Sequence, residues 1–246
     1  MPGHAASRDP EPRVAALAER YALPDGAVGR LLALHRLLVE DPLAPTAVRD
    51  PLKAIDEHLA DSLVGLELEP VRAARRLADL GSGAGLPGLP LAIALPEATV
   101  ALVETTSRRC AFLERAVAAC AAENARIVHA RAEAWPEGLR AFDVITARAL
   151  APLPVVVEYA APLLTVDGTL IVWRGRRNPR DEAAAAAAAL ELGLEPRAVR
   201  RMQPFCEAEH RYLHLMSKVT ETPLGFPRRP GMAIKRPLGR NVAPRI

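Results

Sequence analysis

The stretch Leu77-Ala78-Asp79-Leu80-Gly81-Ser82-Gly83-Ala84-Gly85-Leu86-Pro87-Gly88 constrains what the whole chain can fold into. A short apolar run carrying an acid breaks into four glycines within eight residues, and an apolar run at 89–95 resumes behind them. That pattern predicts a strand, a tight Gly-rich turn and a helix entering behind it. Glycine tolerates positive φ and lets a ligand approach bare backbone. The N–H groups of the helix start favour an electron-rich ligand group. A nucleotide-like cofactor over this turn is therefore favoured over a purely structural turn.

Two cofactor classes fit the glycines. Gly83-x-Gly85-x-x-Gly88 matches the dinucleotide fingerprint, and Glu104 lies about 20 residues on, where a ribose-binding acid belongs. In the other frame, Asp79-x-Gly81-x-Gly83-x-Gly85 resembles the first motif of S-adenosylmethionine-dependent methyltransferases. A carboxylate just before the first glycine gains nothing from a pyrophosphate, whereas it attracts a sulfonium or an aminoacyl ammonium. S-adenosylmethionine is the expected cofactor, with Asp79, Gly81, Gly83 and Gly85 in its site.

The sequence around the turn sets the fold class. Residues 1–12 are polar and Pro-rich and are expected to be disordered. Helical spacing follows at 12–22 and 25–40, with Asp25 as the expected N-cap, and again at 52–68 after a loop carrying three prolines. Residues 1–70 thus read as a helical appendage without strands. From Arg76 the pattern alternates. Strands are expected at 76–80, 99–104, 126–130, 142–147 and 169–173, and helices at 107–123 (stopped by Asn124), 152–164 and 181–192. Two further strands, 197–203 and 212–218, read as a hairpin. Such alternation implies an α/β, Rossmann-like fold whose sheet is mostly parallel, with right-handed crossovers. The expected organisation is an appendage at 1–70, a seven-stranded domain with its terminal hairpin at 71–220, and a basic, Pro-rich tail at 221–246.

No stretch of about 18 apolar residues free of charge occurs, so no membrane span is expected. The N-terminus has no apolar core behind a basic start, and no signal peptide is expected. Cys110, Cys120 and Cys206 form no Cys-x-x-Cys pair; reduced, buried, cytosolic cysteines are expected, and no metal. The net charge of +3 is lopsided: from Thr222 onward there are six bases (Arg228, Arg229, Lys235, Arg236, Arg240, Arg245) and no acid. A second cluster, Arg174, Arg176, Arg177 and Arg180, follows an expected strand. Basic patches on an otherwise neutral body point to a polyanion, nucleic acid foremost, against the alternative of a solvated tail. Arg174, Arg176, Arg177, Arg228, Arg229 and Lys235 are the expected nucleic-acid contacts.

In parallel sheets ligands sit at the carboxyl ends of the strands. Those ends are here 79–85, Glu104-Thr105-Thr106, Ala132-Glu133 and Thr146-Ala147-Arg148. Glu104 suits two ribose hydroxyls, and Glu133 with its neighbouring backbone suits an adenine edge. Each acid alone reads as a surface carboxylate; the four loops support one site only jointly.

With these loops in hand, the chain resembles the bacterial small-subunit ribosomal RNA guanine-N7 methyltransferases, the RsmG or glucose-inhibited division protein B family. The resemblance rests on His58-Leu-Ala-Asp61-Ser62, the Gly-rich stretch with its Gly-Leu-Pro-Gly-Leu-Pro extension, Val103-Glu-Thr-Thr, Phe112-Leu, Arg131-Ala-Glu133 and Phe142-Asp-Val-Ile-Thr-Ala-Arg-Ala149. The tail Phe226-Pro-Arg-Arg-Pro-Gly and Lys235-Arg-Pro extends it, to cover residues 52–238. The resemblance implies an enzyme acting on 16S ribosomal RNA or the small subunit; a cytoplasmic monomer is expected. It also implies cofactor contacts at Gly81, Leu86, Glu104, Thr105, Thr106, Ala132, Glu133 and Arg148. Two segments depart from the family: its Asn-Leu-Thr region reads Asp41-Pro-Leu-Ala-Pro-Thr-Ala-Val here, and its Lys-Gly after the fifth strand reads Arg174-Gly175.

The chemistry agrees with the residues. Guanine N7 carries a lone pair and no proton, so its methylation needs no general base and positioning can supply most of the rate. After the fourth strand the chain reads Ala147-Arg-Ala-Leu-Ala-Pro152, not the Asp-Pro-Pro-Tyr or Asn-Pro-Pro-Tyr of amino-group methyltransferases. No Pro-Cys pair supplies the thiolate that carbon-5 methylation requires. Arg148 is the expected catalytic residue: it stays charged and carries five donors. It either holds the cofactor carboxylate or donates to guanine O6, unless it merely pairs with a helix-surface acid. His58, Asp61 and Ser62 share a helix face, and docking the appendage onto the sheet is favoured over lining a substrate cleft. The alternatives are an NAD-dependent oxidoreductase, which needs a second domain after residue 150, and a non-catalytic RNA-binding protein.

Overall fold

The computed structural model describes residues 9–239. The helical N-terminal part comprises α1 (Glu11–Arg20), α2 (Ala27–Glu40), α3 (Pro51–Ala54), a π-helical turn (Ile55–Ala60), α4 (Asp61–Leu63), a 3-10 turn (Val64–Glu67) and α5 (Glu69–Arg72). Then follow β1 (Arg76–Leu80), α6 (Gly88–Ala94), β2 (Thr99–Glu104), α7 (Ser107–Ala119), β3 (Ala125–His129) and β4 (Phe142–Arg148). The chain continues through α8 (Leu153–Ala160), β5 (Leu164–Arg174), α9 (Pro179–Glu191), β6 (Leu194–Arg201), β7 (Tyr212–Lys218) and α10 (Met232–Lys235).

The seven strands form one sheet in the order β3-β2-β1-β4-β5-β7-β6. β1 to β5 are parallel, and β7 enters antiparallel between β5 and β6. Both faces of the sheet are covered, which is why β1 and β2 read as apolar runs rather than as alternating strands. Successive side chains point to opposite faces. Leu77, Val100, Leu102, Val144 and Ile171 join one core with α1, α2, α6 and α7, while Ala78, Leu80, Ala101, Val103, Ile145 and Leu170 join the other with α8 and α9. Reversal of strand order at β1 and β4 opens a crevice at their carboxyl ends.

The appendage is helical as expected but differs in detail. Residues 1–8 lie outside the described residues; Glu11 and Pro12, expected to be disordered, start α1. Asp25 does not cap α2: Gly26, at φ 78°, occupies the N-cap and no side chain caps. The expected helix at 52–68 is broken into short pieces. Asp50 caps its start by accepting from the Lys53 N–H at 2.8 Å, and the π-helical turn then resets the register. Such turns recur at functional sites, and this one carries His58.

Other boundaries moved for identifiable reasons. α7 ends at Ala119, and Ala121 turns the chain at φ 46°. Asn124 therefore does not stop the helix. Its carboxamide NH2 points at the Ala92, Leu95 and Ala98 carbonyls (3.1, 3.0 and 2.9 Å) and pins the loop after α6. β5 begins at Leu164, inside the segment expected to be helix, and β6 begins at Leu194. Cys110 and Cys120 are buried, but Cys206 is exposed. The tail is not loose over its described part: Ala233 is buried in the α8–α9 core, and Phe226 and Leu238 pack against it.

Candidate active site

β1 hands the chain to a turn through Gly81, Gly83 and Gly85, all at positive φ (68°, 56° and 83°). The Gly81 and Ser82 N–H groups donate to the Val103 carbonyl at 2.9 and 3.1 Å, tying the turn to the end of β2. A Cβ at Gly83 would meet nothing closer than the Gly81 carbonyl at 3.7 Å, so that position is open to a ligand. Gly88 is different: a Cβ there would lie 2.5 Å from Leu102 and 2.9 Å from the Asp79 carboxylate.

Asp79 sits wholly buried beneath the turn. Its carboxylate accepts from the Thr146 hydroxyl at 2.9 Å and the Gly88 N–H at 3.2 Å. Burial pushes its pKa up to about 6 against these donors. Its charge holds the turn and does not line a cleft, which differs from the expectation that it meets a ligand cation directly. The physical reason is the turn itself, which folds back over the acid.

Two small clefts meet at this turn. One, of about 220 Å³, is lined by Gly81, Glu104, Thr105, Arg109, Ala132, Glu133, Ala149, Tyr159 and Ile234 among others. The Glu104 carboxylate accepts from the Thr105 and Thr106 N–H groups at 2.7 and 2.9 Å and from the Gly83 N–H at 3.2 Å. Burial alone would raise its pKa; the Thr106 and Thr105 N–H groups, the Arg109 guanidinium and the Gly83 N–H bring it below the usual range. Glu104 is therefore an ionised acceptor fixed at the cleft. Thr105 and Thr106 shape it through their backbone. Glu133, on a short turn with Ala132, accepts from the Gly231 N–H at 3.0 Å. The second cleft, of about 190 Å³, runs over the turn past Thr46, His58, Gly83, Leu86, Arg109 and Arg148. Gly85 lines neither, and a Cβ there would strike Leu89 at 2.4 Å.

A larger cleft, of about 550 Å³, lies alongside, walled by His58, Asp61, Arg148, Trp173, Arg176 and Arg211 among others. Ala149 lines all three clefts and holds φ 53°, a conformation that L side chains rarely adopt and that clusters at functional sites. The Arg148 guanidinium donates to the Asp61 carboxylate at 2.9 Å and to the Glu57 carbonyl at 3.1 Å. Arg211 reaches the other Asp61 oxygen at 3.1 Å, and the Trp173 indole N–H donates to the Asp61 carbonyl at 2.7 Å. The favoured reading of this helix face holds for Asp61, which docks the appendage onto the sheet; His58 and Asp61 also wall the larger cleft. Ser62 lies inside, its hydroxyl donating to the His58 carbonyl. The acid facing Arg148 is a buried one that walls the larger cleft, not one on a helix surface.

His58 carries the one buried side-chain polar atom without a hydrogen-bond partner among the described residues, its Nδ1. Its Nε2 meets the Thr46 hydroxyl at 2.8 Å. Burial, with Arg148 beside it, holds its pKa below the ordinary value and the ring neutral. Thr46, Trp173 and Arg211 escaped sequence reasoning. Arg211 lies 150 positions from Asp61, and no local pattern links them.

The expected nucleic-acid contacts divide. Arg174 pairs with Asp181 at 2.5 Å and donates to the Ala151 carbonyl; Arg177 pairs with Glu182 at 2.5 Å; Arg228 forks onto the buried Glu158. Arg174 and Arg228 are tied into the fold, whereas Arg177 is exposed and held only by a surface pair. Arg176, Arg229 and Lys235 are exposed and make no ion pair among the described residues. Arg240 and Arg245 lie outside the described residues.

The strand order with its terminal hairpin, the Gly-rich turn and the fixed acid at the end of β2 define a Rossmann-like S-adenosylmethionine-dependent methyltransferase. Fibrillarin, the pre-rRNA processing protein of Methanococcus jannaschii, shares the fold with a TM-score of 0.51 at 17% identity, over 65% of this chain and 74% of its own. The profile of the GidB family, described as rRNA small subunit methyltransferase G, matches residues 42–212. The ribosomal RNA small subunit methyltransferase G of Desulfitobacterium hafniense (strain Y51) is 38% identical over 196 residues, covering 78% of this chain and 81% of that protein. The protein of the same name from Chloroflexus aggregans is 41% identical over 203 residues, covering 78% and 82%. The chain belongs to the rRNA small subunit methyltransferase G family. The oxidoreductase alternative falls, because the residues after 150 complete this sheet instead of building a second domain. Among the described residues no helix is long and apolar enough to cross a membrane, and no group of three or more His, Cys, Asp or Glu could hold a metal ion.

Proposed function

We propose that this protein transfers a methyl group from S-adenosylmethionine to N7 of a guanine in 16S ribosomal RNA, in the cytoplasm. The observation that carries the reading is the meeting at Ala149 of clefts from the Gly-rich turn with a larger cleft walled by Arg148. The residues fit the cofactor. Gly83 leaves open the space that a Cβ would begin to fill, and Glu104 keeps acceptor capacity for ribose hydroxyls after its backbone contacts. Ala132 and Glu133 supply the adenine wall, while Asp79 and Gly88 hold the turn in shape from below. When bound, the cofactor supplies an electrophilic sulfonium methyl.

No base is required of the protein, since N7 presents a lone pair without a proton. The surroundings agree with that. The Asp61 carboxylate is engaged by two arginines and so is not free to take a proton. Arg148 lines both the turn cleft and the larger cleft, so it can meet either the cofactor carboxylate or guanine O6. Arg176, Arg229 and Lys235 are the phosphate contacts of this reading.

The test is calorimetry with S-adenosylmethionine and with NAD, followed by incorporation of labelled methyl into small-subunit RNA from a strain lacking its own enzyme. Binding of S-adenosylmethionine with N7-methylguanine as the product supports the reading. Binding of NAD alone, or a methylated product at another atom, overturns it.

A further inference from the structure

The C-terminal segment is anchored beside the smaller cleft at several independent points. The Arg228 guanidinium forks onto Glu158 of α8 at 2.6 and 2.5 Å, and Glu158 is only 3% exposed. The same guanidinium donates to the Arg236 carbonyl at 2.9 Å, closing the segment on itself. The Gly231 N–H donates to Glu133 at 3.0 Å, and Ala233 is buried in the α8–α9 core. Held between these anchors, Ile234 lines the cleft that contains Glu104 and Glu133, yet it is 57% exposed. Single exposed apolar residues are ordinary. An apolar residue fixed at a cleft of this composition has a specific use, because a planar base laid against it would cover both.

We infer that residues 226–238 form a strap that completes the cofactor site, with Ile234 covering the adenine of S-adenosylmethionine and Gly231 orienting Glu133 toward its edge. This rests on the cofactor reading above. The strap adds a wall from outside the α/β sheet, about a hundred residues beyond Glu133. The adenine loses contact with water on that face, and the base is gripped between sheet loops and tail. The anchors explain why the tail holds this shape before any ligand arrives: the buried Glu158 needs its arginine, and Ala233 needs its core. Part of the tail's basic character is thereby spent on holding the strap, since Arg228 faces inward.

The test is calorimetry on the full chain with S-adenosylmethionine and with 5′-methylthioadenosine, which keeps the adenosine and lacks the aminoacyl end. Ile234→Ala is the variant, and Leu224→Ala, at a fully exposed residue away from the cleft, is the control. Ile234→Ala should weaken both ligands by about tenfold, the factor that about 1.4 kcal/mol of lost apolar contact produces. Its melting temperature without ligand should match the wild type, and Leu224→Ala should change neither affinity. Affinity of Ile234→Ala within twofold of a wild type that binds S-adenosylmethionine overturns the strap but leaves the cofactor reading intact. Weakening of S-adenosylmethionine without weakening of 5′-methylthioadenosine overturns the adenine assignment. A wild type that binds neither ligand overturns the cofactor reading itself.

Discussion

Arg148 at the end of β4 donates to the carboxylate of Asp61 at 2.9 Å, across 87 positions of sequence. One ion pair therefore joins the helical appendage to the carboxyl end of the central strand β4, where the clefts meet. Asp61 is 5% exposed and accepts from Arg211 as well, so Arg148 is fixed before any substrate binds. A guanidinium fixed in this way can position the cofactor carboxylate or guanine O6 without reorganising during the reaction.

Arg148→Ala is expected to lower methyl transfer by about 10²-fold, the scale of losing one preorganised donor. Arg148→Lys should rescue it poorly, because a point charge cannot reproduce a planar fork that serves Asp61 and the cleft together. The measurement is labelled methyl incorporation into small-subunit RNA at saturating cofactor. Transfer by Arg148→Ala within a few-fold of wild type would remove Arg148 from the site.

Gly83 and Gly88 should fail in different ways. Gly83→Ala places a methyl group where the structure leaves space, so S-adenosylmethionine binding should fall while circular dichroism stays native, the folding cost being limited to the strain of a small side chain at φ 56°. Gly88→Ala drives a Cβ against Leu102 and Asp79 and should lower the melting temperature as well. Identical behaviour of the two variants would contradict the open position assigned to Gly83.

Asp79 makes stability depend on pH. Its folded pKa, about 6, lies above the 3.8 of a free carboxyl, so the folded state holds the proton more tightly. The cost of ionising it is absent below about pH 3.8 and complete above about pH 6. Asp79→Asn does not titrate. Its stability relative to wild type should therefore improve by about 2 kcal/mol from pH 4.5 to pH 7.5. Denaturant unfolding at the two pH values measures the change, and a constant difference would show that the carboxyl is not raised.

RNA binding should separate the arginines. Replacing Arg176, Arg229 and Lys235 by alanine should each reduce the slope of log affinity against log salt by about 1. Arg228→Ala should leave the slope nearly unchanged and instead cost on the order of 3 kcal/mol, because it strands the buried Glu158 charge. Filter binding across a salt series, together with a melting curve, distinguishes the two classes. A full loss of slope in Arg228→Ala would return that residue to the RNA surface.

Much of this protein was legible locally. β1, β2 and β7 fall at the bounds their patterning predicts, because strands covered on both faces are mainly apolar. The glycines announced the turn, since only they hold its positive φ, and Glu104 was marked by its place at the end of β2. What tertiary structure decided was the direction in which each charge faces. Asp79, read as meeting a ligand, is roofed over by its own turn. Arg228, read as an RNA contact, is turned inward by Glu158, 70 positions away. The break in the helix at Ile55–Ala60 and the pairing of Asp61 with both Arg148 and Arg211 have no local signature. Periodicity records which residues leave water, whereas the partner of a buried charge is set by which distant elements the packed sheet brings alongside it.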